Sequence, residues 1–373
     1  MIHYLPAASV ITFREFTSPE VLEKLNLLRE KVILPSYLST EEQRRLYKQK
    51  YEQQLAKDPF VLHLAGNKKI EFRYQDRFQL PNHKETVRDI LKSMKGRKDL
   101  LNIPALLEGL YSKHRAGRVP EDVLYTRVVR KLGKHKSLDM IMELVRKGTR
   151  TGFVLERAEV ISEILTYIQK KAIDKQFEEE ATQEALKLAS EVLTVLEDSR
   201  YHDSKTRRIN EKQRDKAFHM DPQFLAARLH LSASLVHDKD VKAKGMSNAT
   251  RNTIKYAQDL LVEWPDANKG LLTLQKPPRY AKGDDSHYLT SPSQFLWHAS
   301  PIARGLAKAA EVAEPTHPEL AKELLARAET IRKELREQRK KLTVPESTER
   351  PLRGVELYET LFPEEKVRDA VSA

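Results

Sequence analysis

The chain has 373 residues, with 66 Lys and Arg against 54 Asp and Glu for a net charge of +12, and a basic balance of this size points to polyanionic partners, nucleic acid foremost. It has no cysteine, which excludes a disulfide framework, a thiolate zinc site, an iron–sulfur cluster and a Cys nucleophile, and no run of about 18 apolar residues offers a membrane span. A hydrophobic fraction of 40%, a charged fraction of 32% and only 12 Gly suit a thin body with much surface per residue, either two or three core-sized units or one extended helical array.

Met1 to Thr17 holds Arg14 as its one basic residue besides His3, too little charge for a clear mitochondrial presequence, and it has no secretory apolar core. Ser18-Pro19-Glu20 then gives an N-cap, a first-turn Pro and a first-turn acid, followed by Val21, Leu22, Leu25, Leu28 and Val32 at helical spacing. Ser39-Thr40-Glu41-Glu42 opens a second, charged helix expected to run to about Ala56. Phe60 to Leu64 and Ile70 to Tyr74 are β-favouring runs on either side of Gly66-Asn67, which predicts one small β-hairpin, or else an extended clamp, near residues 59–77. Two strands alone are marginal, so the hairpin must lean on helices or on a partner.

From Lys84 onward the pattern is helical. Val87, Ile90, Leu91 and Met94 form one stripe, Ile103–His114 another, and helices are expected at 120–132, 137–147, 155–173, 178–197, 221–237, 247–263, 301–312 and 317–342. Tyr201–Lys216 reads as a charged loop, and Trp264–Pro301 as the longest irregular section because of its prolines. A linker over Thr343–Arg353 leads to a tail whose cluster Leu357, Tyr358, Leu361 and Phe362 needs a surface to dock on. The segments are thus 1–83, 84–200, 201–264, 265–300, 301–342 and 343–373.

The sharpest unit runs from Pro120-Glu121-Asp122 through Tyr125 and Gly133 to Arg146-Lys147-Gly148. It resembles a pentatricopeptide repeat, in which a Pro-Asp-type opening, a Tyr in the first helix, a Gly between helices and a basic-Gly ending recur about every 35 residues. A weaker copy starts near Gly152-Phe153-Val154, and Asp221–Glu263, with Ala226, Ala227, Leu229 and Ala257, has a tetratricopeptide-like look. The fold class is therefore mainly α, an irregular α-solenoid of antiparallel helix pairs with one small hairpin. As a whole the pattern resembles fungal mitochondrial ribosomal proteins with degenerate repeats. That resemblance implies a matrix protein of the mitochondrial ribosome, a scaffold holding rRNA and neighbouring ribosomal proteins. A pentatricopeptide-type factor for RNA processing or translation and a protein-binding assembly factor remain the alternatives.

The charge is uneven. Residues 113–150 hold eleven Lys and Arg against four acids, a local net charge of +7. Arg127, Arg130, Lys131 and Lys134 recur at three and four residues, which puts them on one helix face opposite the apolar stripe, a row able to neutralise phosphates. Arg115, Arg118, Arg146, Lys147 and Arg150 extend the patch. A second basic segment, Arg200–Lys216, contributes Arg207, Arg208, Lys212 and Arg214, as an RNA-following loop or as a solvated linker. Tyr125 is placed to stack on a base or, as is commoner in helical repeats, to pack. Lys68, Lys69, Arg73 and Arg77 interleave with Phe72 and Tyr74, either a nucleic-acid strand or a hairpin pinned by its aromatics. The 317–342 helix alternates cations and acids at i,i+4 spacing and reads as mostly self-neutralised, a long solvent-exposed or protein-packing helix.

Catalytic signatures are missing from the sequence. It has no phosphate-cradling Gly-rich loop and no H-E-x-x-H, and the His317-Pro318-Glu319 start of a deaminase signature lacks its cysteine pair. His230 and His237 share a helix without further ligands, Glu178-Glu179-Glu180 is a favourable helix N-terminus, and Asp284-Asp285-Ser286-His287 fits a surface turn. No cofactor, metal, small-molecule substrate or enzymatic activity is expected.

Overall fold

A computed structural model describes residues 3–5, 11–64, 69–111, 122–153, 155, 157–198, 218–236, 247–274, 287–342 and 352–364. The chain is mainly helical with one small sheet and forms two compact units, 1–154 and 155–373. The division falls inside the segment 84–200 that the sequence reads as one helical region.

In the first unit, α1 (Pro19–Leu28) starts at Ser18 with Pro19 in its first turn and buries Val21, Leu25 and Leu28. It runs on through a π-helical turn, Arg29–Ile33, and a 3-10 turn, Leu34–Tyr37. α2 (Thr40–Leu46) begins in a capping box: Glu42 N–H donates to Ser39 Oγ at 3.3 Å and Ser39 N–H to Glu42 Oε2 at 2.8 Å. The single charged helix expected to Ala56 is broken after Leu46 and resumes, past the turn Gln49–Tyr51, as α3 (Glu52–Lys57). Tertiary demands override helix propensity at this point. Tyr47 turns onto a core of Leu34, Leu38, Leu46, Leu62 and Phe72, and the Leu46 carbonyl accepts the Gln75 N–H at 3.0 Å.

The hairpin is present as β2 (Phe60–Leu64) and β3 (Lys69–Phe72), antiparallel, with Phe60 opposite Phe72 and His63 opposite Lys69. The sequence missed a third strand, β1 (His3–Leu5), which lies parallel to β2 and gives the sheet order β1-β2-β3. α4 (His83–Ser93), α5 (Arg97–Leu100), α6 (Ile103–Tyr111), α7 (Asp122–Lys134), α8 (Leu138–Arg146) and α9 (Gly148–Thr151) follow. α4 packs on α1 and α7, α7 on α8, and α6 on α8 and α9. Buried polar groups tie the stretch before α1 to α5 and α6: Ser18 N–H donates to Asp99 Oδ1 and Arg14 N–H to Asn102 Oδ1, both at 2.9 Å. Burial pushes the Asp99 carboxyl up, but backbone donors from Ser18, Lys95 and Gly96 outweigh it and hold the group below its ordinary value.

The resemblance placed Gly133 between two helices. It lies inside α7 instead, and the turn is made by Lys136 at φ +55°. Ser137 N–H donates to the Leu132 carbonyl at 3.0 Å and Lys136 N–H to that of Gly133 at 2.9 Å, a Schellman ending with a lysine in the left-handed position.

The second unit contains α10 (Ala158–Asp174), α11 (Glu179–Glu197), α12 (Pro222–Ser234), α13 (Asn248–Glu263), α14 (Leu271–Leu274), α15 (Pro292–Ala313), α16 (Pro318–Lys340) and α17 (Arg353–Leu361). Helices α10 to α13 pack on one another in chain order, whereas α15 packs on α10, α12, α13, α16 and α17. The helix expected to start at Pro301 in fact starts at Pro292 after Ser291 and carries Pro301 in its interior, among buried Ser300, Ile302 and Ala303. Burial on nearly every side keeps the helix intact across a residue that cannot donate a backbone bond. The α12–α15 crossing is close: a Cβ on Gly305 would sit 2.5 Å from the Cβ of His230. His230 is fully buried, with Nδ1 2.9 Å from Gln169 Oε1, and His237 lies outside the described residues.

The tail cluster docks as anticipated, through α17 on α15, with Leu357, Tyr358, Leu361 and Phe362 buried. Its anchor is polar. Glu163 on α10 is completely buried and accepts hydrogen bonds from Arg353 at 3.0 and 2.5 Å and from Trp297 Nε1 at 3.1 Å. The Arg353 guanidinium also lies over the Trp297 ring, 4.7 Å from its centroid. Arg327 of α16, read in the sequence as one charge of a self-neutralised surface, is buried and donates to the Trp264 carbonyl at 2.9 and 2.6 Å.

Candidate nucleic-acid interface

α7 divides cleanly. Tyr125, Thr126, Val128, Val129 and Leu132 are buried, while Arg127 and Lys134 are exposed and Arg130 and Lys131 half-buried along the other face. This is the division that three- and four-residue spacing demands of a helix packed on one side. Tyr125 is 3% exposed, meets Phe153 edge to face at 5.3 Å and lies with its hydroxyl 3.5 Å from the Thr151 carbonyl. It packs, and no base can reach it.

Lys131 shows how crowded the positive charge is. Its Nζ lies 3.5 Å from the Lys92 carbonyl at the end of α4. Burial first and the neighbouring Lys134 second lower its pKa, against the pull of Asp99. The α4–α5 corner therefore belongs beside the α7 face, and its exposed Lys92, Lys95 and Lys98 add cations that helix periodicity within α7 could not reveal. The clue in the sequence was the cluster Lys92, Lys95, Arg97 and Lys98, which lacked a reason to be placed next to α7.

The rest of the basic stretch is less available. Lys147 Nζ contacts Glu143 at 2.6 Å on α8, Arg150 holds Glu108 of α6 at 2.6 Å, and Arg97 holds Asp139 at 2.6 Å. Arg146 is exposed next to Lys147. Arg127 and Lys134 have no ion pair among the described residues. Arg115, Arg118, Arg207, Arg208, Lys212 and Arg214 lie outside the described residues; among the described residues the four α7 cations share one helix face. Phe72, proposed to interleave with the hairpin cations, is buried in the small core. Among the described residues no cluster of three or more His, Asp or Glu is arranged to hold a metal, and no helix is long and apolar enough to cross a membrane.

A family model described as mitochondrial ribosomal protein mS27 matches residues 3–360, nearly the whole chain. The chain belongs to the mitochondrial ribosomal protein mS27 family. A protein of Neurospora crassa described as small ribosomal subunit protein mS27 is 37% identical over 333 residues, covering 87% of this chain and 83% of its own length. Membership makes the chain a mitochondrial, structural ribosomal component with no enzymatic role. It bears out the resemblance to fungal mitochondrial ribosomal proteins drawn from helix pairs and uneven charge.

Proposed function

We propose that this chain is a scaffold protein of the small subunit of the mitochondrial ribosome, working in the matrix, and that α7 lays its cationic face on rRNA phosphates while other surfaces meet neighbouring ribosomal proteins. The observation that carries the reading is Arg127 and Lys134, exposed and without ion pairs among the described residues, on either side of a lysine whose charge is already disfavoured by its surroundings. A polyanion relieves the repulsion from Lys134, which is the lesser cause after burial. Side chains of this kind grip the backbone and do not read bases, so binding is sequence-tolerant and steeply salt-dependent. The mS27 name of the Neurospora relative supports the subunit, and exposed Lys95 and Lys98 at the α4–α5 corner support a surface wider than one helix.

Charge reversal tests it, with Arg127→Glu, Arg130→Glu and Lys134→Glu combined. The variant folds, because these side chains lie outside the core. It leaves the small-subunit fraction of an organelle gradient, and its log-affinity for RNA against log-salt becomes shallower by about 0.7–0.9 for each phosphate that the face no longer neutralises. Unchanged sedimentation and an unchanged salt slope would instead make the chain a protein-binding adaptor.

A further inference from the structure

A second surface lies where α2 ends and the chain leaves β3. Gln75 N–H, bonded to the Leu46 carbonyl at 3.0 Å, pins the segment after β3 to the end of α2. Asp76 Oδ1 then accepts from Phe78 N–H at 3.0 Å and caps the 3-10 turn Arg77–Gln79. Phe78 stands on this turn 98% exposed. A single exposed ring is ordinary on a protein surface, so what singles this one out is the set of cations and rings around it.

Its surroundings narrow what could cover it. Beside it the Arg77 guanidinium lies over the Tyr47 ring at 5.8 Å, and Lys50 and Arg45 lie over Tyr51 at 4.8 and 5.8 Å. Glu41 is occupied by Arg45, Glu71 contacts Arg73 at 3.6 Å, and Asp76 is used in the cap. Arg77, Lys48 and Lys50 carry no ion pair among the described residues and are exposed. The strip thus sets rings beside three exposed cations that lack ion-pair partners among the described residues, with the Glu52 and Asp76 carboxylates near Tyr74, and phosphates supply the anionic partners that an apolar protein pocket lacks.

We propose that this platform binds an unpaired stretch of RNA, with one base stacked on Phe78 and the adjoining phosphates against Arg77, Lys48 and Lys50. Aromatic stacking is tolerant of sequence because every base offers a π-face, and it requires a base freed from a helix. The inference rests on the reading of the chain as an RNA-holding component but uses none of the α7 residues, so the two can fail separately.

The test is fluorescence anisotropy with the purified full chain, a short single-stranded uridine RNA, and the same RNA with its bases removed. Phe78→Ala is expected to weaken binding of the base-bearing strand about 5- to 150-fold and to leave the abasic strand unchanged. Phe78→Trp is expected to keep the affinity, with its new indole quenched by the base-bearing strand alone. The native Trp264 and Trp297 are buried and do not obscure that signal. The triple α7 reversal lowers affinity for both strands without altering the quench. Equal affinity of Phe78→Ala and the parent chain for the base-bearing strand, with no quench, overturns the proposal. So does loss of Phe78→Ala from the small-subunit particle with RNA binding intact, which would assign the ring to a protein pocket. Absence of stacking with the α7 effect preserved refutes the platform alone, and the reverse refutes the α7 reading alone.

Discussion

Arg353→Ala isolates the interaction that fastens α17. Glu163 has no exposed surface, and Arg353 donates to both of its carboxylate oxygens. Removing the guanidinium leaves a buried carboxylate with Trp297 Nε1 at 3.1 Å and His298 Nε2 at 4.0 Å. Stripping one partner from a buried ion pair costs about 3–5 kcal/mol. The Arg353 side chain is 24% exposed, so water softens the penalty and the lower end applies, about 3 kcal/mol. For a unit of this size each kcal/mol moves the midpoint by about 2–4 °C, so Tm falls by about 6–12 °C. Both tryptophans of the chain lie in the second unit, so their fluorescence reports its unfolding even where the first unit melts separately. Adding Glu163→Gln to Arg353→Ala removes the buried negative charge while keeping an acceptor for Trp297, and restores at least about 1–2 kcal/mol. A midpoint shift for Arg353→Ala of under about 2 °C, or a double variant no more stable than Arg353→Ala, would refute the reasoning.

Burial, reinforced by Arg304, pushes the His230 imidazole down to about 3 from its ordinary 6.5. The unfolded chain takes up a proton near 6.5 and the folded one does not. Stability from this site is therefore complete above about pH 6.5 and falls by about 1.4 kcal/mol per pH unit toward pH 3. Urea midpoints between pH 7 and 5 check this against His230→Gln, whose curve is flatter. Gly305→Ala drives a methyl into the Cβ and backbone of His230 and lowers the stability of the second unit by about 1–3 kcal/mol, more than the gain in helix propensity, as urea denaturation followed by tryptophan emission will show. Lys136→Gly relieves the left-handed lysine after α7 and stabilises the first unit by about 1 kcal/mol, read as slower hydrogen exchange of the α7 and α8 amides.

Most helices were legible because their ends carry their own chemistry. Ser18-Pro19-Glu20, the Ser39–Glu42 box and Asp221-Pro222 mark starts that side chains and a first-turn proline define locally. The failures are long-range. β1 is three residues long and exists by pairing with a strand that begins at Phe60, and no local alternation announces it. Pro301 reads as a helix start because proline favours first turns. Only the packing of α15 against helices before and after it in the chain explains why this proline sits mid-helix. The α7 cations followed from spacing alone. Which neighbouring cations are already engaged did not, since Arg150 finds Glu108 and Arg97 finds Asp139 across 42 residues each. Phe78 escaped notice because the hairpin reading stopped at residue 77 and nothing local says that the ring has nothing to pack on.

The bond between Glu163 and Arg353 spans 190 residues. The chain emerges, and crosses any translocation pore, from its N-terminal end, so Glu163 is committed to α10 long before its cation exists in the same compartment. Until α17 arrives, the unit must leave that carboxylate wet or protonated, with α15 uncovered along one side. A product truncated before residue 353 would keep this opening permanently and present proteases with an accessible helix. Helix α17 thus closes the second unit only once synthesis has passed residue 361.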